Sequence, residues 1–267
     1  MIKLGAIGCG NMASAILRGA ARGMKGEFDF YGFDPDASKM AALSDIGLTP
    51  LESGAEVARV CDYVLLAVKP QIFPQAAAEL KAAAEKDKVY ISIMAGITSA
   101  SIKEAVGFDA KLCAVMPNTP LMLGEGASAM AAVEPISREE FEVAKKLFEC
   151  AGIVREIPAD KLSDVIPLNG SSPAFIYAFV KGFLRYGTEA GFPEETSLAL
   201  FCQALRGAAE MLEHSGNDVD TLIKMVSSKG GTTIAGLTAF EEKDLQGMID
   251  LCCERCVKRA YELAEGK

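Results

Sequence analysis

Six residues near the amino terminus, Gly8-Cys9-Gly10-Asn11-Met12-Ala13, carry the first chemical signal in this chain. They read G-x-G-x-x-A between an apolar run and an Ala-rich helical stretch. Gly8 permits a tight turn, Gly10 lets backbone approach a pyrophosphate, and Ala13 lets a helix pack close on a strand. The first helical N–H groups, at Asn11 and Met12, would then donate to phosphate oxygens. The order of strand, turn and helix predicts a dinucleotide site, with a purely structural glycine turn as the alternative.

Further along, Phe33-Asp34-Pro35 ends the second apolar run, and Asp34 lies 21 residues after Ala13. An acidic side chain there is placed to bind the adenine ribose hydroxyls and to repel a 2′-phosphate. The expected cofactor is NADH or NADPH, with NADH favoured by Asp34, although Lys39 one turn later could meet a phosphate. The competing reading has Asp34 merely starting a turn and capping the next helix. Three more segments close apolar runs: Ala67-Val68-Lys69-Pro70, Ala95-Gly96 and Met116-Pro117-Asn118-Thr119-Pro120. Such positions lie at the carboxyl edge of a parallel sheet, where ligands bind. Lys69 is either an ordinary surface lysine or a cofactor contact.

These residues need elements to hold them. Lys3–Ile7, Phe28–Phe33, Tyr63–Val68, Val89–Met94 and Leu112–Met116 are short, uninterrupted apolar runs, as expected of strands covered on both faces. Helical stretches at Met12–Arg22, Ala37–Leu43, Gln71–Ala84 and Ser101–Val106 alternate with them, which predicts an α/β, doubly wound sheet of Rossmann type. Two further strands, Ala127–Val133 and Val154–Ile157, bracket a helix at Arg138–Cys150, with Ser137 and Glu140 spaced as a capping box. Beyond Pro158 strands disappear. Leu198, Phe201, Leu205, Ala208 and Leu212 form one helical stripe, and Leu245, Ile249, Cys252, Cys256, Ala260 and Leu263 another. The expected division is therefore a dinucleotide-binding domain, 1–158, and an all-helical domain, 159–267.

Composition limits the partners. The chain has 267 residues, half of them hydrophobic, so it can bury real cores and is no disordered tail. Its formal charge of -9 gives no general attraction to nucleic acid or anionic lipid. No apolar run approaches the ~18 residues that span a bilayer. Met1 leads directly into a strand-like run with no signal peptide, and eight cysteines in a chain of this size read as reduced thiols. The expectation is a cytoplasmic protein with a small-molecule substrate, no nucleic acid and no membrane.

Several segments together resemble the Δ1-pyrroline-5-carboxylate reductase family. They are Gly8–Ala13, Val68-Lys69-Pro70-Gln71, Met116–Pro120, Gly170-Ser171-Ser172-Pro173-Ala174 and the run from Ser227-Ser228-Lys229-Gly230-Gly231-Thr232-Thr233 to Leu237. The likeness spans nearly the whole chain in order, and the Gly-Gly-x-Thr segment is its most specific part. It implies a Rossmann domain followed by a helical dimerisation domain, hence a homodimer or higher homo-oligomer. It also implies hydride transfer from NAD(P)H to a cyclic imine, yielding L-proline, at a site shared between one subunit's nicotinamide pocket and its partner's helical loop. Carried over, Ser228 and the backbone of Gly231 and Thr232 would hold the substrate carboxylate, and the Thr233 hydroxyl would meet the ring nitrogen. A Gly-rich loop entering a helix suits an anion, though an ordinary Gly-Gly turn with Thr capping is also consistent with the residues alone. The chain departs from the family pattern where Lys229 replaces Pro, where Asn169-Gly170-Ser171-Ser172-Pro173-Ala174-Phe175 replaces Ser-Gly-Ser-Gly-Pro-Ala-Tyr, and at Asp34-Pro35. Lys229 adds a cation beside the proposed carboxylate site, and Ser172 could tighten the pocket.

Other constellations compete. An iminium is already electrophilic, so positioning, charge complementarity and water exclusion suffice for its reduction. That suits a chain whose single histidine, His214, reads as a helix C-terminal residue. Tyr177 and Lys181 form Y-x-x-x-K, and Lys181 also resembles the helical lysine of β-hydroxyacid dehydrogenases, the alternative enzyme reading. Cys252-Cys253-x-x-Cys256 lacks a second ligand pair and continues an apolar stripe, so no metal site is expected. A non-catalytic nucleotide-binding paralogue is the remaining alternative, with Lys229 and Ser172 as its evidence.

Overall fold

The structure, a computed structural model, describes residues 1–265. It comprises two compact units, one of Met1–Pro173 with the chain from Cys256 onward, the other of Ala174–Arg255. The last strand ends at Glu156, so the change from strands to helices falls where the apolar runs stop, ahead of the division between compact units.

In the first unit the chain runs β1 (Ile2–Ile7), α1 (Asn11–Gly23), β2 (Phe28–Phe33), α2 (Ala37–Ala41), β3 (Thr49–Pro50), α3 (Gly54–Val60), β4 (Tyr63–Leu66), α4 (Phe73–Ala83), β5 (Val89–Ser92), α5 (Ser99–Val106), β6 (Lys111–Met116), β7 (Gly126–Val133), α6 (Arg138–Glu149) and β8 (Gly152–Glu156). One eight-stranded sheet has the order β3-β2-β1-β4-β5-β6-β7-β8. The first six strands are parallel, β7 is antiparallel to β6, and β8 is parallel to β7. The chain steps outward from β1 to β3, then returns to place β4 on the other side of β1. That reversal opens a crevice between the carboxyl ends of β1 and β4.

Side-chain patterning explains the layers. Leu4, Ala6, Leu65, Ile91 and Cys113 pack one sheet face against α1 and α6, through Ile16, Leu17, Phe141 and Phe148. Ile7, Val64, Leu66, Tyr90 and Leu112 pack the other face against α3, α4 and α5, through Val57, Leu80 and Ile102. The continuous apolar runs are therefore strands buried on both faces. Ser137 caps α6 as expected: its hydroxyl accepts the Glu140 N–H at 3.2 Å, and the Glu140 carboxylate accepts the Ser137 N–H at 2.9 Å.

Several elements differ from expectation. β4 and β5 stop two residues short of their apolar runs, because Ala67-Val68 and Ile93-Met94 leave the sheet into the loops at its carboxyl edge. The helix expected at Ala37–Leu43 ends at Ala41 and gives way to a 3₁₀ turn at Ser44–Ile46. α3 has no counterpart in the apolar periodicity. Its seven residues are too few to show a stripe, and its signal is Ser53, whose hydroxyl caps the Glu56 N–H at 3.1 Å.

Helices α7 (Ser172–Glu189), α8 (Glu194–His214), α9 (Val219–Met225), α10 (Thr232–Glu242) and α11 (Leu245–Ala264) follow. Within Ala174–Arg255, Phe179, Phe183, Phe201 and Phe240 form an aromatic cluster, with the Phe183 and Phe201 rings stacked at 4.4 Å. Even so, no apolar side chain of this unit is fully buried among the described residues. Leu198 and Leu212, at the two ends of the α8 stripe, are 43% and 53% exposed. No helix of the described residues is long and apolar enough to cross a membrane.

Candidate active site

The glycine motif occupies the crevice between β1 and β4. Gly8 has φ +93°, and its N–H donates to Phe33 O at 2.8 Å. A Cβ there would stand 2.8 Å from the Ala67 carbonyl oxygen, so β1 and β4 meet this closely only over glycine. Gly10 is the N-cap of α1 and provides no side-chain cap, and a Cβ on it would meet nothing within 4 Å. The space over Gly10 is open, and the N–H groups of Asn11 and Met12 have no intrahelical acceptor. A pyrophosphate fits this cradle by shape and by charge.

Asp34 stands at the end of β2, 6% exposed. Its carboxylate accepts the Cys9 N–H at 3.0 Å and the Asp36 N–H at 3.0 Å. The Lys39 ammonium donates to both of its oxygens, at 3.0 and 3.3 Å. Burial by itself would push the carboxyl up, but the two backbone donors and the lysine more than offset it, holding Asp34 below the usual aspartate range. The helix cap is Asp36, not Asp34: Asp36 accepts the Ser38 N–H at 3.1 Å. Asp34 is thus tied to the glycine loop through the Cys9 N–H. The neighbouring Cys9 thiol is pushed up to about 11 by burial and by Asp34, so it stays protonated and unreactive.

A cavity of about 380 Å³ lies at the carboxyl ends of β4, β5 and β6. Its wall brings together Met12, Ala67, Val68, Lys69, Ala95, Pro117 and Asn118, all of them cofactor-site candidates from the sequence. Pro70 opens the 3₁₀ turn behind Lys69, and Gly96 borders a separate, smaller cavity. The sequence did not assign Ile166, Gly170 and Ser171, which also line the wall. They are held there by a pair of asparagines. Asn118 Oδ1 accepts the Ala127 N–H at 2.9 Å, and its Nδ2 donates to Asn169 O at 3.2 Å. Asn169 Nδ2 donates in turn to Met116 O at 2.7 Å and Ala127 O at 3.0 Å. Both side chains are buried, and four hydrogen bonds between them fix the strand ends to the segment before α7. Ser172 is not part of this wall; its hydroxyl donates back to Leu168 O at 3.0 Å.

In the other unit, Ser228, Thr232 and Thr233 are exposed at the start of α10. Gly231 is its N-cap, without a side-chain cap, and no acidic residue lies in its first turn. The Gly231 N–H donates to Ser228 O at 2.9 Å, closing a turn with Gly230 at φ +75°. The hydroxyls of Ser228, Thr232 and Thr233 have no hydrogen-bond partner among the described residues.

Residues 159–263 match the family model described as pyrroline-5-carboxylate reductase dimerisation. Residues 3–96 match the one described as NADP oxidoreductase, coenzyme F420-dependent. Pyrroline-5-carboxylate reductase of Escherichia coli (strain K12) is 32% identical over 265 residues, which is 98% of each chain. This chain belongs to the pyrroline-5-carboxylate reductase family. The reductase of Pisum sativum is 35% identical, over 98% of this chain and 96% of that protein. The crystal structure of the Plasmodium falciparum pyrroline carboxylate reductase with NADP bound superposes with a TM-score of 0.88, at 27% identity, covering 98% of both chains.

Membership in this reductase family sets aside the hydroxyacid-dehydrogenase reading of Lys181. Tyr177 and Lys181 are both exposed on α7, with no hydrogen bond between them. His214 ends α8 and lies 3.2 Å from Glu210, in the position expected of a helix C-terminal residue. Cys256 is half-buried on α11, with its sulfur 3.3 Å from the Ser171 hydroxyl.

Proposed function

We propose that this chain reduces Δ1-pyrroline-5-carboxylate to L-proline with NAD(P)H. The observation that carries the reading is a full-length match to reductases of that name, combined with an open phosphate cradle at Gly8–Ala13 and an uncapped Gly-Gly-Thr-Thr helix start. Bound NAD(P)H supplies the hydride that turns the C=N bond into C–N. The chain's part is to bind, orient and exclude water. Gly8, Gly10, Asn11 and Met12 hold the pyrophosphate, and Asp34 the adenine ribose. Ala67, Val68, Lys69, Ala95, Pro117 and Asn118 hold the nicotinamide half, with Pro70 and Gly96 shaping the loops that carry Lys69 and Ala95. Ser228 with the backbone of Gly231 and Thr232 binds the substrate carboxylate, and the Thr233 hydroxyl accepts from the ring N–H. No strong acid is required, because the protonated imine is already an electrophile and becomes a neutral amine as the hydride arrives.

The purified protein with pyrroline-5-carboxylate is expected to oxidise the cofactor and form L-proline, followed by nicotinamide absorbance and chromatography of the product. Cofactor binding without any proline would instead support the non-catalytic paralogue.

Asp34 favours NADH, but Lys39 neutralises part of its charge and so reduces the repulsion of a 2′-phosphate. Asp34→Ser should therefore lower the ratio of kcat/KM for NADH over NADPH by about tenfold or more, since the charged two-oxygen acceptor for the ribose is replaced by a neutral hydroxyl. A wild-type enzyme that strongly prefers NADPH would refute this assignment.

The helical unit supports a homo-oligomer. A unit of this size with no fully buried apolar side chain among its described residues is not stable on its own, and a second copy is the natural cover for its stripes. The eight free thiols support a reducing, cytoplasmic location.

A further inference from the structure

The turn that leads into α10 has a defined type. Ser228 O accepts the Gly231 N–H at 2.9 Å, and Gly230, the third residue, has φ +75° while Lys229, the second, stays at negative φ. That is a type II turn, and its second position is the one where proline fits best, because the required φ is the one proline already holds. Proline would also stiffen the loop at no cost to the folded state. This chain has Lys229 there instead, and so gives up that rigidity for a flexible side chain with a positive end.

The groups around it carry the same sign. Lys229 is exposed and forms no ion pair among the described residues. Lys224, in the last turn of α9, is likewise exposed and unpaired five residues upstream. The N–H groups of Thr232, Thr233 and Ile234 have no intrahelical acceptor, and Gly231 brings no side-chain cap. The acids of α10, Glu241 and Glu242, lie at its far end, about 14 Å along the axis. Backbone donors, helix dipole and lysine therefore share one sign at this helix start, in a chain whose net charge is -9.

We propose that Lys229 is an electrostatic anchor for the carboxylate of the ring acid, setting the affinity for substrate and product alike. This rests on the function proposed above. The carboxylate keeps its charge from substrate through transition state to product, so an interaction with it is uniform binding: it lowers KM and leaves kcat nearly untouched. The anchor is solvent-exposed, so salt screens it.

Three variants test this: Lys229→Ala, Lys229→Pro and Lys229→Arg. The readouts are the KM for pyrroline-5-carboxylate and the inhibition constant of L-proline, each at low and high ionic strength. Lys229→Ala and Lys229→Pro should both raise the two constants by the same factor, about three- to tenfold at low salt, with the difference from wild type shrinking as salt rises. Lys229→Arg should keep wild-type values. If Lys229→Pro matches wild type while Lys229→Ala is impaired, the residue serves loop geometry and the anchor is wrong. Unchanged constants in both charge-removing variants, or a loss confined to kcat, would also overturn it. Absence of turnover in the wild-type protein would instead overturn the reductase reading itself.

Discussion

Gly8→Ala is expected to raise the cofactor KM by about two orders of magnitude and to lower Tm by on the order of 5–10 °C. Both effects come from one atom. At φ +93° any side chain is strained, by about 1–3 kcal/mol. The new methyl would also stand 2.8 Å from Ala67 O, 2.9 Å from Ala67 C and 3.1 Å from Val68 N. These are backbone atoms just beyond the end of β4, so no rotamer change relieves the contact. β1 and β4 are in register at Ile7 and Leu66, with Ala67 N–H donating to Ile7 O at 2.9 Å. Relief must come from prising this pair apart where the pyrophosphate cradle forms. Gly10→Ala separates the two consequences. A Cβ there meets nothing, and Gly10 has φ -72°, so the fold should keep its Tm while the methyl enters the space over the phosphate turn. Thermal unfolding and a fluorescence titration with NADH measure the two effects. A Gly8→Ala protein with native Tm and native affinity would show that the close approach of β1 and β4 has been misread.

The same contrast explains what could be read in advance. Strands buried on both faces announce themselves as unbroken apolar runs, and the glycine motif has a fixed place after the first of them. The sheet, the glycine turn and most of the cavity wall at the carboxyl ends of β4, β5 and β6 were therefore legible. α3 was not, because seven residues carry a cap but no period. The direction of β7 was not, because apolar content says nothing about strand polarity; the short 117–125 connection, with two prolines and no long helix, is the physical reason it runs antiparallel to β6. Asn169 is the clearest omission at the site. Its hydrogen bonds reach Met116 and Ala127, 53 and 42 residues away in sequence, and no local spacing encodes such a contact. Asp34 was legible as an acid at the right distance, but its pairing with Lys39 bears on charge and was visible only in three dimensions. Lys229 was legible as a departure, while its meaning waited on the turn type.

Thr233→Ala should lower kcat/KM for pyrroline-5-carboxylate by about 10- to 100-fold, the range expected for one hydrogen bond to a charged partner. The fold has little reason to change. Thr233 is exposed in the first turn of α10, and its hydroxyl has no partner among the described residues. Alanine also suits a helix better than threonine, so any effect on Tm should be small and favourable. A loss of turnover would therefore belong to the ligand. In the proposed assignment the hydroxyl accepts from a ring N–H that carries positive charge before hydride transfer and none after it. Its removal should thus weaken substrate binding and positioning while leaving NADH affinity alone. Thr233→Val removes the oxygen but keeps the shape, and should behave as alanine does. Thr233→Ser keeps the oxygen on a freer side chain and should retain most of the activity. If Thr233→Ala and Thr233→Val leave both kcat and KM unchanged, the ring nitrogen does not meet this hydroxyl, and the polar group that orients the imine must be sought elsewhere on the chain.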